Sequence, residues 1–156
     1  MLDAIDRQIL RILQQDARTP NNEIAKQVGI VPSATSERIR KLVDRGIIAG
    51  YDGRLNAQAL GYNLVAFVYV RTDEPVDTRH TGEELAAIPE VQEVHNVAGE
   101  DCYLVKVRVK DTEMLGRFLR EKIGAIKSVR NTRTTIALET FKETLTVPVD
   151  DIERPS

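Results

Sequence analysis

Tryptophan is absent from the 156 residues, cysteine occurs once (Cys102) and histidine twice (His80, His95). A single cysteine rules out an intrachain disulfide, and neither histidine stands at metal-ligand spacing from it. Both facts argue against a catalytic zinc, and no metal or catalytic set is expected. A lone cysteine reads first as a small buried hydrophobe. No run of eighteen apolar residues occurs, so no membrane span is predicted. The opening Met-Leu-Asp-Ala-Ile-Asp is acidic and amphipathic and lacks the charged and apolar regions of a secretory signal. The expected compartment is the cytoplasm.

What is present is enough for a core: 42% of the residues are apolar. The length fits one ordinary domain or two small ones. A unit near 50 residues is marginal alone, so two small domains would need further contacts. The formal charge is −2 overall but unevenly spread. Residues 1–54 hold nine Lys/Arg and seven Asp/Glu (+2), and residues 55–156 hold thirteen and seventeen (−4). A mildly basic head thus precedes an acidic body, an asymmetry whose direction suits a nucleic-acid partner for the head.

Residues 1–51 read as three helices and a short strand. Asp3 can cap the first helix, whose apolar stripe is Ile5, Ile9, Ile12 and Leu13. Thr19-Pro20 reads as a cap and a proline at the first helical position of the second. Ile24, Ala25 and Val28 are its inward residues, and Gly29 ends it. Pro32 opens a third helix that runs to about Arg45 and stops at Gly46. Two helices joined by a glycine turn make the helix-turn-helix pattern, with a plain helical hairpin as the alternative. The third helix favours the former. Its apolar face is Thr35, Ile39, Leu42 and Val43. Its other face carries Ser33, Ala34, Glu37, Arg40, Lys41 and Asp44, with Arg38 and Arg45 at the edge. Small side chains at the N-terminal end and Arg or Lys beyond are what a helix entering the major groove needs. Ile47 to Tyr51 reads as a short strand, and residues 52–62, with Gly53, Asn56 and Gly61, as a linker.

Residues 63–147 alternate strand and helix in the order βαββαβ. Leu64–Val70 is apolar on both faces of a first strand. Thr81-Gly82-Glu83-Glu84 reads as a capping box opening a helix. Val91, Val94 and Val97 mark a second strand. Tyr103, Val105, Val107 and Val109 alternate with polar neighbours in a third. Asp111 caps a helix that extends to Ile123, and Thr132, Thr134, Ile136 and Leu138 form the last strand. A weak internal repeat supports two βαβ halves: Ala87-Ile88-Pro89-Glu90-Val91 resembles Ala125-Ile126-Lys127-Ser128-Val129. The expected fold class is α+β: an N-terminal winged helix-turn-helix domain, then a ferredoxin-like split βαβ domain with its helices on one sheet face. A second subunit is expected to cover the other face. Residues 148–156 read as a frayed tail.

The order of motifs resembles the leucine-responsive regulator/AsnC (feast/famine) family. The matching text is Leu2-Asp3-Ala4-Ile5-Asp6-Arg7-Gln8-Ile9-Leu10, Asp16-Ala17-Arg18, Glu23-Ile24-Ala25, Val28-Gly29-Ile30, Glu37-Arg38-Ile39-Arg40-Lys41-Leu42 and Gly46 to Tyr51. In the body, Val97 to Val105 is similar to the family's G-x-x-D-Y-L-L segment, and Thr132-Arg133-Thr134 to its final-strand signature. The resemblance implies homodimers that assemble further, to tetramers or octamers. It also implies a free amino acid or related metabolite as effector, bound without any other cofactor. The implied effector residues are Gly99, Glu100, Asp101, Cys102, Thr132 and Thr134. Pro20 and Val31 stand where the family often has Ser, and Cys102 where it has Asp. A thiol is a poor acceptor, and strand alternation keeps Asp101 from simply replacing an acid at 102.

The expected function is that of a sequence-specific DNA-binding transcription regulator modulated by such a metabolite, cytoplasmic and associated with the nucleoid. Its candidate DNA-binding residues are Ser33, Ala34, Glu37, Arg38, Arg40, Lys41 and Arg45. Ser33, Ala34, Glu37 and Arg38 are expected near base edges, Arg40, Lys41 and Arg45 near phosphates, with Arg38 open to either. Glu37 can accept from a cytosine amine or pair with Lys41 one turn on, and the pairing is favoured. The alternative from another class is an enzyme resembling the sirohaem decarboxylases, resting on His95.

Overall fold

The computed structural model describes residues 2–75 and 78–149. The chain divides into two compact units. Of the described residues, one unit holds 2–54 and takes up 143–149; the other is Leu55–Lys142.

The first unit has three helices: α1 (Ala4–Gln15), α2 (Asn21–Val28) and α3 (Pro32–Asp44). Asp3 caps α1 as its sequence position predicts. Its carboxylate accepts from the Asp6 N–H at 2.8 Å, and Asp6 reaches back to the Asp3 N–H at 3.2 Å, a reciprocal capping box. Helix α2 starts differently from the expectation. Pro20 is the cap residue and supplies no side-chain bond, while the Thr19 hydroxyl donates to the Asp16 carbonyl. Gly29, at φ +77°, ends α2 in the left-handed conformation that costs glycine little. The core is Ile9, Leu10, Ile24 and Leu42, flanked by Ile5, Ile12, Leu13, Val28 and Ile39. Thr35 is buried with it, whereas Val43 is 43% exposed and does not share the inward face.

Residues 47–51 form no strand. The N–H groups of Ile47 and Ile48 both return to the Leu42 carbonyl, closing the end of α3, and among the described residues no strand pairs with them. The linker is partly ordered: Tyr62 N–H bonds the Ala57 carbonyl and Gly61 N–H the Gln58 carbonyl. Residues 143–149, expected in the body and tail, lie with the helical unit instead; residues 150–156 fall outside the described residues.

The second unit is an antiparallel sheet of four strands in the order β2-β3-β1-β4, the topology of a split βαβ fold. The strands are β1 (Leu64–Thr72), β2 (Val91–Asn96), β3 (Tyr103–Val109) and β4 (Val129–Ile136). Helix α4 (His80–Ala86) and helix α5 (Thr112–Arg117) follow β1 and β3; α5 continues as a widened π turn over Phe118–Ile123. Ala66, Val68 and Val70 of β1 and Tyr103, Val105, Val107 and Val109 of β3 pack with Leu85, Leu115, Phe118, Ile123 and Ile126. The opposite residues of β1 (Phe67, Tyr69) and β3 (Leu104, Lys106, Arg108) are half-buried on the face without helices.

Three expectations shift here. Thr81 is no cap: it lies inside α4, fully buried, its hydroxyl against that of Ser128, while Glu74 accepts from its N–H at 3.1 Å. Strand β2 stops at Asn96, before Val97, and β4 stops before Leu138, which is fully exposed. The internal repeat is real in space. Val91 N–H bonds the Ile88 carbonyl at 3.0 Å and Val129 N–H the Ile126 carbonyl at 3.1 Å, the same turn twice. Each turn also braces the other half: Glu90 pairs with Lys122, and the equivalent Ser128 meets Thr81. Gly82 is required by a close approach, since a Cβ there would lie 2.9 Å from the Tyr103 ring.

Candidate nucleic-acid interface and effector site

The candidate DNA-binding residues fall on the outer side of α3. A shallow cleft of about 310 Å³ against α1 is lined by Asp6, Ala34, Glu37, Arg38, Lys41, Leu42 and Arg45. Ser33, Glu37, Arg40, Lys41 and Arg45 are exposed and Ala34 is half-buried.

Their charges are not equivalent. Arg40 bonds Glu37 at 2.8 Å one turn back and Asp44 at 2.7 Å one turn ahead, so it lies between two acids. Lys41 stands 3.6 Å from Glu37, a looser pair. Glu37 therefore has Arg40, rather than the expected Lys41, as its main partner. The Arg40 hydrogen bond, above all, holds the Glu37 carboxyl below the usual range. Of the exposed cations on this face, Lys41 has only the looser Glu37 pair, whereas Arg40 is held on both sides.

Arg38 is the candidate that points away from the outer face. Its guanidinium turns to α1, bonding Asp3 at 2.6 Å and Asp6 at 2.8 Å. The reason is geometric. Its angular position on α3 lies between the buried Thr35/Leu42 line and the exposed face, and the acidic first turn of α1 lies within reach. Those hydrogen bonds, Asp3 first, raise the Arg38 pKa further. The Asp3 carboxyl is held below its ordinary value, first by the Asp6 N–H and next by Arg38. One further contact went unforeseen in the sequence: the Asn21 amide donates to the Ser36 hydroxyl at 3.0 Å, linking the start of α2 to α3.

In the second unit the Gly99–Asp101 loop closes between β2 and β3, with Gly99 at φ +137°. Cys102 carries its C-terminal end: its N–H bonds the Val70 carbonyl, its carbonyl accepts from Val97 N–H, and its sulfur accepts from Thr72 N–H at 3.4 Å. The thiol thus faces the β1 backbone, and the loop's acids meet two arginines. Arg71 donates to the Glu100 carbonyl at 3.1 Å and stands 3.6 Å from its carboxylate. Arg133 pairs with Asp101 at 3.3 Å and lies over the Tyr69 ring, 4.1 Å from its centre. Both guanidinium groups stay largely exposed.

Thr132 and Thr134 do not join this group. They sit opposite Val70 and Val68 in the sheet register, on the helix side, so the intervening Arg133 is the β4 residue that reaches the loop. Arg71 and Arg133 were missed in the sequence because only strand register puts them beside residues 99–101. His95 is exposed and 3.5 Å from Glu93. Among the described residues no group of three His, Cys, Asp or Glu could hold a metal, and no helix is long and apolar enough to cross a membrane.

Comparison with known proteins agrees with this layout. The model of the Lrp/AsnC ligand binding domain matches residues 65–147, and that of a winged helix-turn-helix DNA-binding domain matches residues 2–49. The HTH-type transcriptional regulator FL11 of Pyrococcus horikoshii is 39% identical over 148 residues, covering 95% of this chain and 97% of that protein. A transcriptional regulator from Neisseria meningitidis, solved in complex with L-methionine, superposes with a TM-score of 0.90 at 26% identity, covering 96% of this chain and 98% of that one. A feast or famine regulatory protein from Mycobacterium tuberculosis, also complexed with L-methionine, gives 0.85 at 36% identity, covering 94% and 99%. The chain belongs to the Lrp/AsnC family of transcriptional regulators, with a helix-turn-helix DNA-binding unit followed by a ligand-binding α+β unit.

Proposed function

We propose that this regulator, working in the cytoplasm at the nucleoid, binds specific promoter DNA as a homodimer that can assemble further. A free amino acid modulates it. The observation that carries the DNA half is the outer face of α3. Ser33 and Ala34 are small where the helix would enter a major groove, and Lys41 and Arg45 stand free enough for phosphates. Glu37 and Arg40 hold each other and shape that face, while Arg38 sets the pose of α3 from behind. Phosphate contacts set affinity and base contacts set sequence preference, so Lys41 and Arg45 act on affinity and Ser33 and Ala34 on choice of site.

The amino acid is proposed to bind at the Gly99–Asp101 loop. Arg71 and Arg133 offer guanidinium groups for its carboxylate, and Glu100 and Asp101 offer carboxylates for its amine. Cys102 supports the loop rather than touching the ligand. Two relatives were solved with L-methionine, which makes it the first effector to try. Dimerisation through the open sheet face would cover Phe67, Tyr69 and Leu104 and supply two heads for one operator.

The test is a binding titration of wild type and Lys41→Ala on recovered promoter fragments at several salt concentrations. The variant's salt slope should fall by about 1; an unchanged slope removes Lys41 from the phosphate set. A thermal-shift panel of free amino acids, led by L-methionine, tests the effector, and no shift at millimolar concentration removes the panel from consideration.

A further inference from the structure

Neither the groove-facing helix nor the Gly99 loop uses the chain that follows Lys142. Residues 143–149 form no regular element, yet they lie with the DNA-binding unit. Two hydrogen bonds hold it there. Gln14, near the end of α1, donates from Nε2 to the Val147 carbonyl at 2.9 Å and accepts at Oε1 from the Val147 N–H at 2.8 Å. One side-chain amide thus satisfies both backbone groups of one residue, as a neighbouring strand would. Two residues further on, Val149 is 9% exposed and packs with Ile9, Leu10, Ile24 and Leu42. Leu145 and Val147 keep their side chains in solvent, so the attachment is local: one amide and one apolar plug.

We propose that residues 143–149 are a clasp on α1, an interaction surface whose partner is the chain's own C-terminal segment. Through it the chain has a second covalent route back to the DNA-binding unit. The first route is the linker after Arg54. The second leaves the sheet at β4, the strand that carries Arg133, and ends at Gln14. The chain from β4 to α1 therefore offers a route that does not pass through the linker. An amino acid changes DNA binding by this route only if it binds better with the clasp in one of its two states, docked or released. The coupling rests on the effector reading above; the clasp does not.

Hydrogen exchange on the full-length protein tests the clasp. The Val147 amide should be protected in wild type. Gln14→Ala should cost it about tenfold of that protection while β1 and β3 amides stay unchanged. Val149→Asp should also raise exchange along α1, and Gln14→Ala keeps the test valid if Val149→Asp unfolds the helical unit. Exchange of the Val147 amide at the rate of an unstructured peptide in wild type, or no change in Gln14→Ala, overturns the clasp. Protection that falls on dilution would assign the docked segment to a second copy and overturn the intramolecular form. Anisotropy titration on promoter DNA with and without L-methionine then tests the coupling. Gln14→Ala should lose at least half of the wild-type response, and a full response in the variant overturns the second route. A wild type that ignores L-methionine would count against the effector reading alone, since the exchange result judges the clasp independently.

Discussion

Replacing Arg38 by methionine keeps the aliphatic stem and removes the guanidinium that ties α3 to α1. Two bonds disappear, and they are unequal. The Asp6 side chain is 12% exposed, Arg38 32% and Asp3 52%. The Asp3 arm is close to a surface ion pair, which contributes about 0–1 kcal/mol. The Asp6 arm is a charge-assisted hydrogen bond to a mostly buried carboxylate, about 1.5–3 kcal/mol, and its loss leaves that carboxylate with only the capping contact. Discounted for the part-exposure of Arg38, the sum is about 2 kcal/mol, which multiplies the unfolded fraction about 30-fold, because about 1.4 kcal/mol is tenfold. In a unit this small the unfolding midpoint should drop by roughly 10 °C. Far-UV circular dichroism during urea and thermal unfolding measures the change, and Asp6→Asn should reproduce most of it. The DNA salt slope of Arg38→Met, measured under conditions where the unit is folded, should match wild type. A slope reduced by about 1 with an unchanged midpoint would refute the reasoning and return Arg38 to a phosphate. The pH dependence carries a sign. The Asp3 carboxyl is depressed below its ordinary 3.8, so its contribution is complete above that value and is lost as pH falls through the folded-state pKa. Wild type should lose this increment in acid below about pH 4, and Arg38→Met should show a smaller loss there.

Three other expectations follow from the second unit. Arg133→Ala removes the Asp101 pair and the Tyr69 contact; it should abolish the L-methionine thermal shift while leaving the DNA salt slope untouched. Phe67→Glu places a charge on the open sheet face, and light scattering should report loss of the proposed dimer; a dimer of unchanged mass would exclude that face as the interface. Gly82→Ala gains helix propensity but drives a methyl into the buried Tyr103 ring, for a net loss of about 1 kcal/mol by denaturant unfolding, since overpacking outweighs the propensity term.

Helix positions were legible in the sequence because their signals are local. Asp3, Gly29, Pro32 and Asp111 act within four residues of themselves, and all four stand where the pattern puts them. The alternation Tyr103-Val105-Val107-Val109 likewise reports one buried face directly. The false cap at Thr81 shows the limit of local reading. The motif is present, but a buried site opposite Ser128 outweighs it, and a carboxylate seven residues upstream takes its N–H.

By itself the sequence determined the two-part layout, the α+β class and the family, since each depends on periodicity and on contacts short in sequence. Only the tertiary structure decided the partners. Arg38 belongs to α1 because two helices bring groups 32 and 35 positions apart within a hydrogen bond's length. Arg133, not Thr132 or Thr134, faces the Gly99 loop because strand register sends alternate side chains to opposite sides. The segment after Lys142 returns to Gln14, 133 positions away. Such pairings depend on chain closure over long separations, which no local pattern of residues encodes.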